Sequence, residues 1–238
     1  MAFMRHGGLC VAIAAQVALG TVQPFGGASH LICSSAYQQE VLAQYPLVVY
    51  FHDPVVLQPA IDHLLDTYRS QIEASDSTFS ASSYLHWKDD TVVTAIVHNL
   101  LPRVEHFFPN TTLQIESAAL TRYTKGQSYS WHVDAYDART LHARAITFLA
   151  YLNDVDGGET VFAHIAQNGS TFPYRTPLDR ACATSSSQHV KVAPQAGRAL
   201  LFQNVLGHMS THAACAVTSS AKWIMQLWIS STTLDRCS

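Results

Sequence analysis

The second half of the chain alternates short β-rich runs with glycine-containing turns, and this pattern constrains the fold more than any other feature. The runs cover 120–129, 144–153, 156–162, 197–202 and 222–229. The first of them ends in a glycine-containing turn that leads directly to a His-x-Asp pair. We therefore predict a β core in which this pair lies at the end of a strand.

Two histidines and one aspartate in this half have the residue types of a metal site. His132 and Asp134 stand two residues apart, a spacing at which strand side chains point the same way. The third ligand must come from a distant strand, and the candidates are His208 and His212. Such a set on one face of Fe(II) leaves the other face open for O2 and a chelating acid, whose far end Lys222 could bind. Since the chain has 13 His, the His-x-Asp pair alone is weak support.

Residues 1–28 have the layout of a secretory signal peptide. A short, slightly basic start is followed by an apolar run over 9–20 and by small residues at 26–28. The run is short for a bilayer span, and an uncleaved signal anchor or a buried amino-terminal helix would also fit it. Glycosylation sequons at Asn110 and Asn168 agree with a secretory route. We expect the lumen of the endoplasmic reticulum or Golgi, or secretion, with membrane contact only through an uncleaved anchor.

Between this leader and the β-rich half, the sequence predicts mainly helix. Apolar residues repeat at helical spacing over 61–72 and 93–104, whereas 47–51 is a short strand candidate. We expect 29–115 to be a helical support region of the same domain as the β core in 116–238.

The composition excludes one class of partner. Charged residues make up 13% of the chain and the formal net charge is −3, which argues against a dedicated nucleic-acid-binding protein with a basic face. The length of 238 residues fits one domain with a short appendage.

Several sequence blocks, in this order, resemble the prolyl 4-hydroxylase group of 2-oxoglutarate- and Fe(II)-dependent dioxygenases. They are Tyr-x-x-Gly-Gln-x-Tyr-x-x-His-x-Asp from Tyr123, Arg-x-x-Thr from Arg144, Gly-Gly-Glu-Thr-x-Phe from Gly157, Gly-x-Ala-Leu-x-Phe from Gly197, and His-x-x-Cys-x-Val with a later Lys-Trp from His212. The resemblance covers about 116–230. It implies an α+β chain with a mainly β core, a double-stranded β-helix (jelly-roll), and amino-terminal supporting helices.

The resemblance also implies an activity and its cofactors. The protein would hydroxylate peptidyl proline to 4-hydroxyproline, with decarboxylation of 2-oxoglutarate to succinate and CO2. Fe(II) would be the metal, 2-oxoglutarate and O2 the co-substrates, ascorbate a further candidate cofactor, and a proline-rich peptide or protein the substrate. Two departures from the group's pattern leave open a 2-oxoglutarate oxygenase that acts on a different protein side chain or a small molecule. The loop between Asp134 and Arg144 is short, and residues 82–87 stand where the group often has an Arg-x-Ser element. A zinc hydrolase and a non-catalytic jelly-roll binding module would also be compatible with the His and Asp residues.

The residue roles that the resemblance implies fall into three sets. The iron ligands would be His132, Asp134 and His212. The residues binding 2-oxoglutarate would be Lys222, through the C5 carboxylate, with Tyr151, Thr147 and Tyr123. The substrate residues would be Arg144, Tyr129 and Trp131. The same pattern places Cys215 just after the distal histidine and suggests a Cys182–Cys215 disulfide.

Overall fold

The structure, a computed structural model, describes residues 30–34, 37–74, 80–135, 144–165, 176–183, 189–205 and 209–231. The helices in this part of the chain are α1 (Gln58–Glu73), α2 (Thr91–Phe107) and α3 (Leu178–Ala183). The strands are β1 (His30–Ser34), β2 (Tyr37–Gln44), β3 (Leu47–Phe51), β4 (Ala81–Leu85), β5 (Leu113–Tyr123), β6 (Tyr129–His132), β7 (Ile146–Tyr151), β8 (Thr160–Phe162), β9 (Lys191–Val192), β10 (Ala199–Gln203), β11 (His212–Ala214) and β12 (Lys222–Ser231).

These strands form two antiparallel sheets that pack face to face. The larger sheet has eight strands in the order β1-β2-β3-β10-β7-β12-β5-β4, and the smaller has four in the order β6-β11-β8-β9. Between the sheets, Phe162 and Val192 of the smaller sheet pack in one cluster with Leu149, Tyr151 and Phe202 of the larger sheet. The architecture is the double-stranded β-helix that the sequence predicts, and its sheets do not close into a barrel.

The two long helices cover the outer face of the larger sheet. Their apolar stripes, which include Ile61 and Leu64 of α1 and Val97 and Leu100 of α2, join a core cluster with sheet residues such as Phe148. Helix α2 begins where the side chain of Asp90 accepts hydrogen bonds from two backbone N–H groups of the first turn. The helices thus support the larger sheet from its outer side.

The region 29–115 differs from the sequence-based expectation of a mainly helical support. Alongside α1 and α2 it contains β1 to β4, which extend the larger sheet at both ends. The sequence of β2, Tyr-Gln-Gln-Glu-Val-Leu-Ala-Gln, lacks a clean apolar alternation, so local periodicity gave little sign of a strand. Residues 1–28, His208 and Asn168 lie outside the described residues. No helix in the described ranges is both long and apolar enough to cross a membrane.

Candidate active site

Strand pairing brings the two histidines of the predicted metal site side by side. β6 and β11 pair antiparallel with His132 directly opposite His212, and the centroids of the two rings lie 4.2 Å apart. Asp134 follows β6 by two residues, and its Oδ1 lies 3.6 Å from His132 Nε2 and 3.9 Å from His212 Nε2. One ligand atom from each residue falls within 4.8 Å of the others, so a single ion could bind all three.

The two imidazoles are held in the form that binds a metal. His132 Nδ1 lies 2.9 Å from the carbonyl oxygen of Ser130, and His212 Nδ1 lies 3.0 Å from that of Ser210. A carbonyl can only accept, so each Nδ1 carries the hydrogen and each Nε2 keeps its lone pair for a ligand. Burial and the neighbouring His212 lower the pKa of His132 to about 4. This ring is therefore neutral at pH 7, as metal binding requires.

The carboxylate ligand is fixed by hydrogen bonds from behind. Thr147 Oγ1 donates to Asp134 Oδ2 at 2.5 Å, and Asn204 Nδ2 in turn donates to Thr147 Oγ1 at 2.9 Å. Burial opposes ionisation of Asp134, but its electrostatic interactions with His212 and His132 and the Thr147 hydrogen bond outweigh burial and lower the pKa of Asp134. Two imidazoles and one carboxylate are the donor set that suits non-haem Fe(II), so the residues present fit this metal.

Lys222 is a fully buried cation in the same cavity. Its side chain is 0% exposed, and Nζ donates to the Gly158 carbonyl at 2.6 Å while lying 5.3 Å and 5.6 Å from the ring centroids of Tyr123 and Tyr151. Among the described residues, no carboxylate lies within salt-bridge distance of Nζ. Burial lowers its pKa to about 7, although the charge of Glu159 partly opposes the shift. A buried cation of this kind needs an anion, which the described part of the chain does not supply.

These groups line one cavity of about 310 Å³ between the sheets. Alternate residues of three neighbouring strands of the larger sheet form one wall, because side chains two apart share a face. The lining residues are Ser82 and Tyr84 of β4, Ala119, Thr121 and Tyr123 of β5, and Lys222, Ile224, Gln226 and Trp228 of β12. From the smaller sheet come Tyr129, His132, Thr160, His212 and Ala214, and Asp134, Arg144 and Leu149 complete the site with Ser80 and Ala213.

Three of the ten predicted site residues do not line this cavity. Thr147 is covered by Asp134, to which it donates. Tyr151 lies behind Lys222, and its hydroxyl donates to Thr160 at 2.9 Å. Trp131 points away from the metal ligands, because neighbouring strand residues face opposite sides. Its indole N–H donates to the Thr176 carbonyl at 2.9 Å. The structure thus places Trp131 outside the lining of this cavity.

Sequence reasoning missed several cavity residues that a simple pattern could have found. Counting in steps of two from Lys222 gives Ile224, Gln226 and Trp228, all of which line the cavity. Trp228 also stacks under Arg144, whose guanidinium carbon lies 4.6 Å from the ring, while Arg144 Nε lies 3.6 Å from Glu116 Oε1. The alternation is visible in the sequence. These residues were missed because they follow the Lys-Trp pair that ends the family pattern.

The suggested disulfide is confirmed. Cys182 of α3 and Cys215 are bonded, with 33 residues of sequence separation. Cys215 follows His212 by three residues, so the bond attaches α3 to the end of the strand that carries a metal-site histidine.

Comparison with known proteins agrees with the geometry. Residues 118–230 match the 2OG-Fe(II) oxygenase superfamily. The chain is 32% identical over 130 residues to prolyl 4-hydroxylase 13 of Arabidopsis thaliana, covering 50% of this chain and 44% of that protein. It is 31% identical over 170 residues to probable prolyl 4-hydroxylase 10 of the same plant, covering 67% of this chain and 54% of that protein. The chain thus spans about half the length of the curated relatives it matches.

A solved structure supports the fold. A viral collagen prolyl hydroxylase from Paramecium Bursaria Chlorella virus-1, solved as a 2OG complex, has a TM-score of 0.51 at 19% identity, over 76% of this chain and 94% of that one. The shared fold, the match over the β core and the grouping of His132, Asp134 and His212 point the same way. Residues 118–230 are therefore similar to the 2OG-Fe(II) oxygenase superfamily in sequence, and the fold of the chain agrees with that similarity.

Proposed function

We propose that this protein is a 2-oxoglutarate- and Fe(II)-dependent dioxygenase that hydroxylates peptidyl proline to 4-hydroxyproline. The observation that carries the proposal is the sharing of one cavity by the His132–Asp134–His212 cluster and the buried Lys222. A metal site alone would suit many reactions. The described residues place no carboxylate within salt-bridge distance of this buried cation. A metal site beside such a cation suits a reaction whose co-substrate is a chelating acid with a second carboxylate.

The roles of the residues follow from their positions. His132, Asp134 and His212 would hold Fe(II) through two Nε2 atoms and a carboxylate oxygen. Lys222 would bind the C5 carboxylate of 2-oxoglutarate, and Tyr123, whose ring lies beneath Nζ, would form the wall beside it. When bound, iron and 2-oxoglutarate supply the oxidising chemistry, in which one atom of O2 goes to the substrate and the other to succinate. The protein's own part is to orient these groups and to exclude water.

Thr147 and Tyr151 would support the residues that bind the metal and 2-oxoglutarate. Thr147 fixes the orientation of Asp134 through the hydrogen bond to Oδ2. Tyr151 supports Lys222 with its ring and Thr160 with its hydroxyl. We propose that both are positioning residues for the cofactors and do not contact them.

A proline-rich peptide is the substrate that we propose. Its support is the similarity to relatives named prolyl 4-hydroxylases and the aromatic lining of the cavity. Tyr129 and Trp228 line it with aromatic rings, and Arg144 stacks on Trp228. Proline-rich peptides dock in aromatic-lined grooves because their extended conformation is preformed.

We further propose that the protein enters the secretory pathway and is a glycoprotein. Two described features support this. Asn110 of the first sequon is exposed in the turn after α2, where an oligosaccharide would meet no core residue, and the Cys182–Cys215 disulfide suits an oxidising compartment. A signal peptide or anchor at 1–28 is part of this proposal. For the oxygenase activity, we also propose ascorbate as a cofactor. Release of mass from the secreted protein by an N-glycosidase, absent in an Asn110→Gln, Asn168→Gln double variant, would test the glycan.

The test of the activity is succinate production by the purified chain supplied with Fe(II), 2-oxoglutarate and O2, with and without a polyproline peptide. We expect peptide-stimulated succinate together with the gain of one oxygen atom on proline, and neither with His212→Ala. Succinate without peptide stimulation would retain the oxygenase and reject the proline substrate. No succinate from a folded, iron-loaded sample would reject the oxygenase itself.

A further inference from the structure

The cavity is too small to hold a peptide substrate together with its cofactors. Ligand pockets usually measure about 300–1,000 Å³, and the volume here is about 310 Å³. Iron, 2-oxoglutarate and one reacting residue would fill it. The residues of the substrate on either side of the target must therefore bind outside the cavity, on the surface around its mouth.

Tyr84 is the exposed ring on one side of that mouth. It stands on β4, where Ser82 and Tyr84 face the cavity while Ala81 and Leu85 face the opposite way into the helix-packed core. The Tyr84 side chain is 64% exposed, so it contributes little to that core. Its ring centroid lies 6.3 Å from that of Trp228. Arg144, Trp228 and Tyr84 thus form a row of neighbouring side chains in which Tyr84 is the most exposed.

Tyr84 is also a wall of a second cavity, of about 430 Å³. The other residues lining this second cavity are His63, Tyr68, Gln71, His86, Asp89, Asp90 and Thr91. Because Tyr84 lines both cavities, the two cavities adjoin at its side chain. A chain leaving the first cavity on this side therefore crosses the Tyr84 ring before it reaches the second.

An exposed tyrosine can also be an ordinary surface residue, and the chain offers a comparison. Of the large hydrophobic side chains exposed in the described part of the chain, Tyr84 and Tyr129 line the active-site cavity, whereas Tyr45 and Leu57 line neither this cavity nor the second one. Tyr84 and Leu57 have nearly equal exposures, 64% and 61%. Exposure alone therefore does not distinguish Tyr84; its place between two cavities does.

We propose that Tyr84 is a specificity-determining residue that stacks on the substrate residue next to the target and directs the peptide into the second cavity. This inference rests on the proposed function, since it assigns to the same active site an extended peptide that crosses one side of its mouth. It also predicts that the enzyme favours peptides long enough to cross Tyr84 over peptides that end at the target residue. The ring, and not the hydroxyl, carries the contact.

The test compares a long proline-rich peptide with one truncated at the target, using the full chain and the variants Tyr84→Ala, Tyr84→Phe and Leu57→Ala. For the long peptide we expect the KM of Tyr84→Ala to rise roughly two- to tenfold, the size of one aromatic stacking contact. Tyr84→Phe should keep the KM of the natural enzyme, and so should Leu57→Ala, the control of matched exposure. For the truncated peptide the KM of Tyr84→Ala should change less. An unchanged KM in Tyr84→Ala, or an equal rise for both peptides, would overturn the inference.

Peptide binding without O2, in the presence of Fe(II) and 2-oxoglutarate, separates this inference from the proposed function. Length-dependent binding that Tyr84→Ala weakens would support the inference even if no peptide were hydroxylated, in which case the proposed function fails alone. Turnover that is insensitive to Tyr84→Ala would overturn the inference and retain the function. A natural enzyme that neither binds nor hydroxylates either peptide would overturn both.

Discussion

The buried Lys222 predicts that 2-oxoglutarate binding weakens steeply as the pH rises above 7. Burial lowers the pKa of Lys222 to about 7 in the free protein, and the charge of Glu159 opposes this shift only in part. Below pH 7 the side chain is a cation ready to pair with the C5 carboxylate. Above pH 7 it is neutral, and binding the anion requires it to take up a proton first. The sign is therefore fixed: affinity is full at low pH and falls with rising pH.

The magnitude follows from the same pKa. Once Lys222 is neutral, each further pH unit reduces the affinity about tenfold, as long as pairing with the carboxylate keeps the bound lysine charged. Between pH 6 and pH 9 the loss is roughly 100-fold, or about 2.7 kcal/mol at about 1.36 kcal/mol per unit. Replacing Lys222 by Met removes both the pairing and its pH dependence. By analogy with other broken buried ion pairs this costs roughly 3–5 kcal/mol of binding.

Calorimetric titration of the Fe(II)-loaded protein with 2-oxoglutarate, without O2, measures both quantities. Runs at pH 8 in buffers of different ionisation enthalpy should reveal uptake of close to one proton per 2-oxoglutarate bound, and runs at pH 6 close to none. Lys222→Met should bind weakly at every pH with no proton uptake. The titration of His132 does not interfere, since its pKa of about 4 lies below this range. A natural protein whose affinity stays flat from pH 6 to 9 would refute the assignment of Lys222 as the anion partner.

Three further predictions test the supports of the site. Thr147→Val removes the hydrogen bond to Asp134 and should weaken Fe(II) binding about 10–100-fold, measured by metal titration, whereas Thr147→Ser should retain most of the affinity. Gly158→Ala should raise the 2-oxoglutarate KM with little change in the peptide KM, because a Cβ there would meet Lys222 Cδ at 2.9 Å and the residue has φ +67°; equal effects on both would contradict this reason. Replacing both cysteines of the Cys182–Cys215 disulfide by serine should lower the free energy of unfolding by about 4 kcal/mol, from loop closure over the 33-residue separation, and denaturation by urea would measure it.

The metal centre could be predicted from the sequence because each short segment that supplies a ligand has a recognisable pattern of its own. The His-x-Asp spacing places two ligands on one side of a strand, and the block around His212 matches the pattern of a known family. Lys222 follows from the same block, at a fixed spacing of ten residues. What the spacing could not supply is the layer behind these groups. Thr147 was expected to touch the co-substrate, and only the three-dimensional structure places Asp134 between Thr147 and the cavity.

The same limit explains the amino-terminal region. β2 and β4 become strands through pairing with β3 and β5, more than through their own sequences. The sequence of β4, Ala-Ser-Ser-Tyr-Leu, gives neither side of the strand a strongly apolar face. Pairing with β5 therefore decides its conformation. Tyr84 therefore could not be placed at the cavity mouth before the sheet order was known.

Tyr129 and Trp131 show how one irregularity in strand pairing decides which side chain reaches the site. Regular alternation would place both on the side of β6 opposite His132. The register of β6 against β11 instead shifts, so that His132 pairs with His212 but Tyr129 pairs with Ala214. Four residues of β6 (129–132) thus lie opposite three of β11 (212–214). The extra residue returns Tyr129 to the side of His132, where their ring centroids lie 4.4 Å apart. Trp131 stays on the far side, so the irregular pairing of β6 with β11 decides which aromatic ring of β6 lines the cavity.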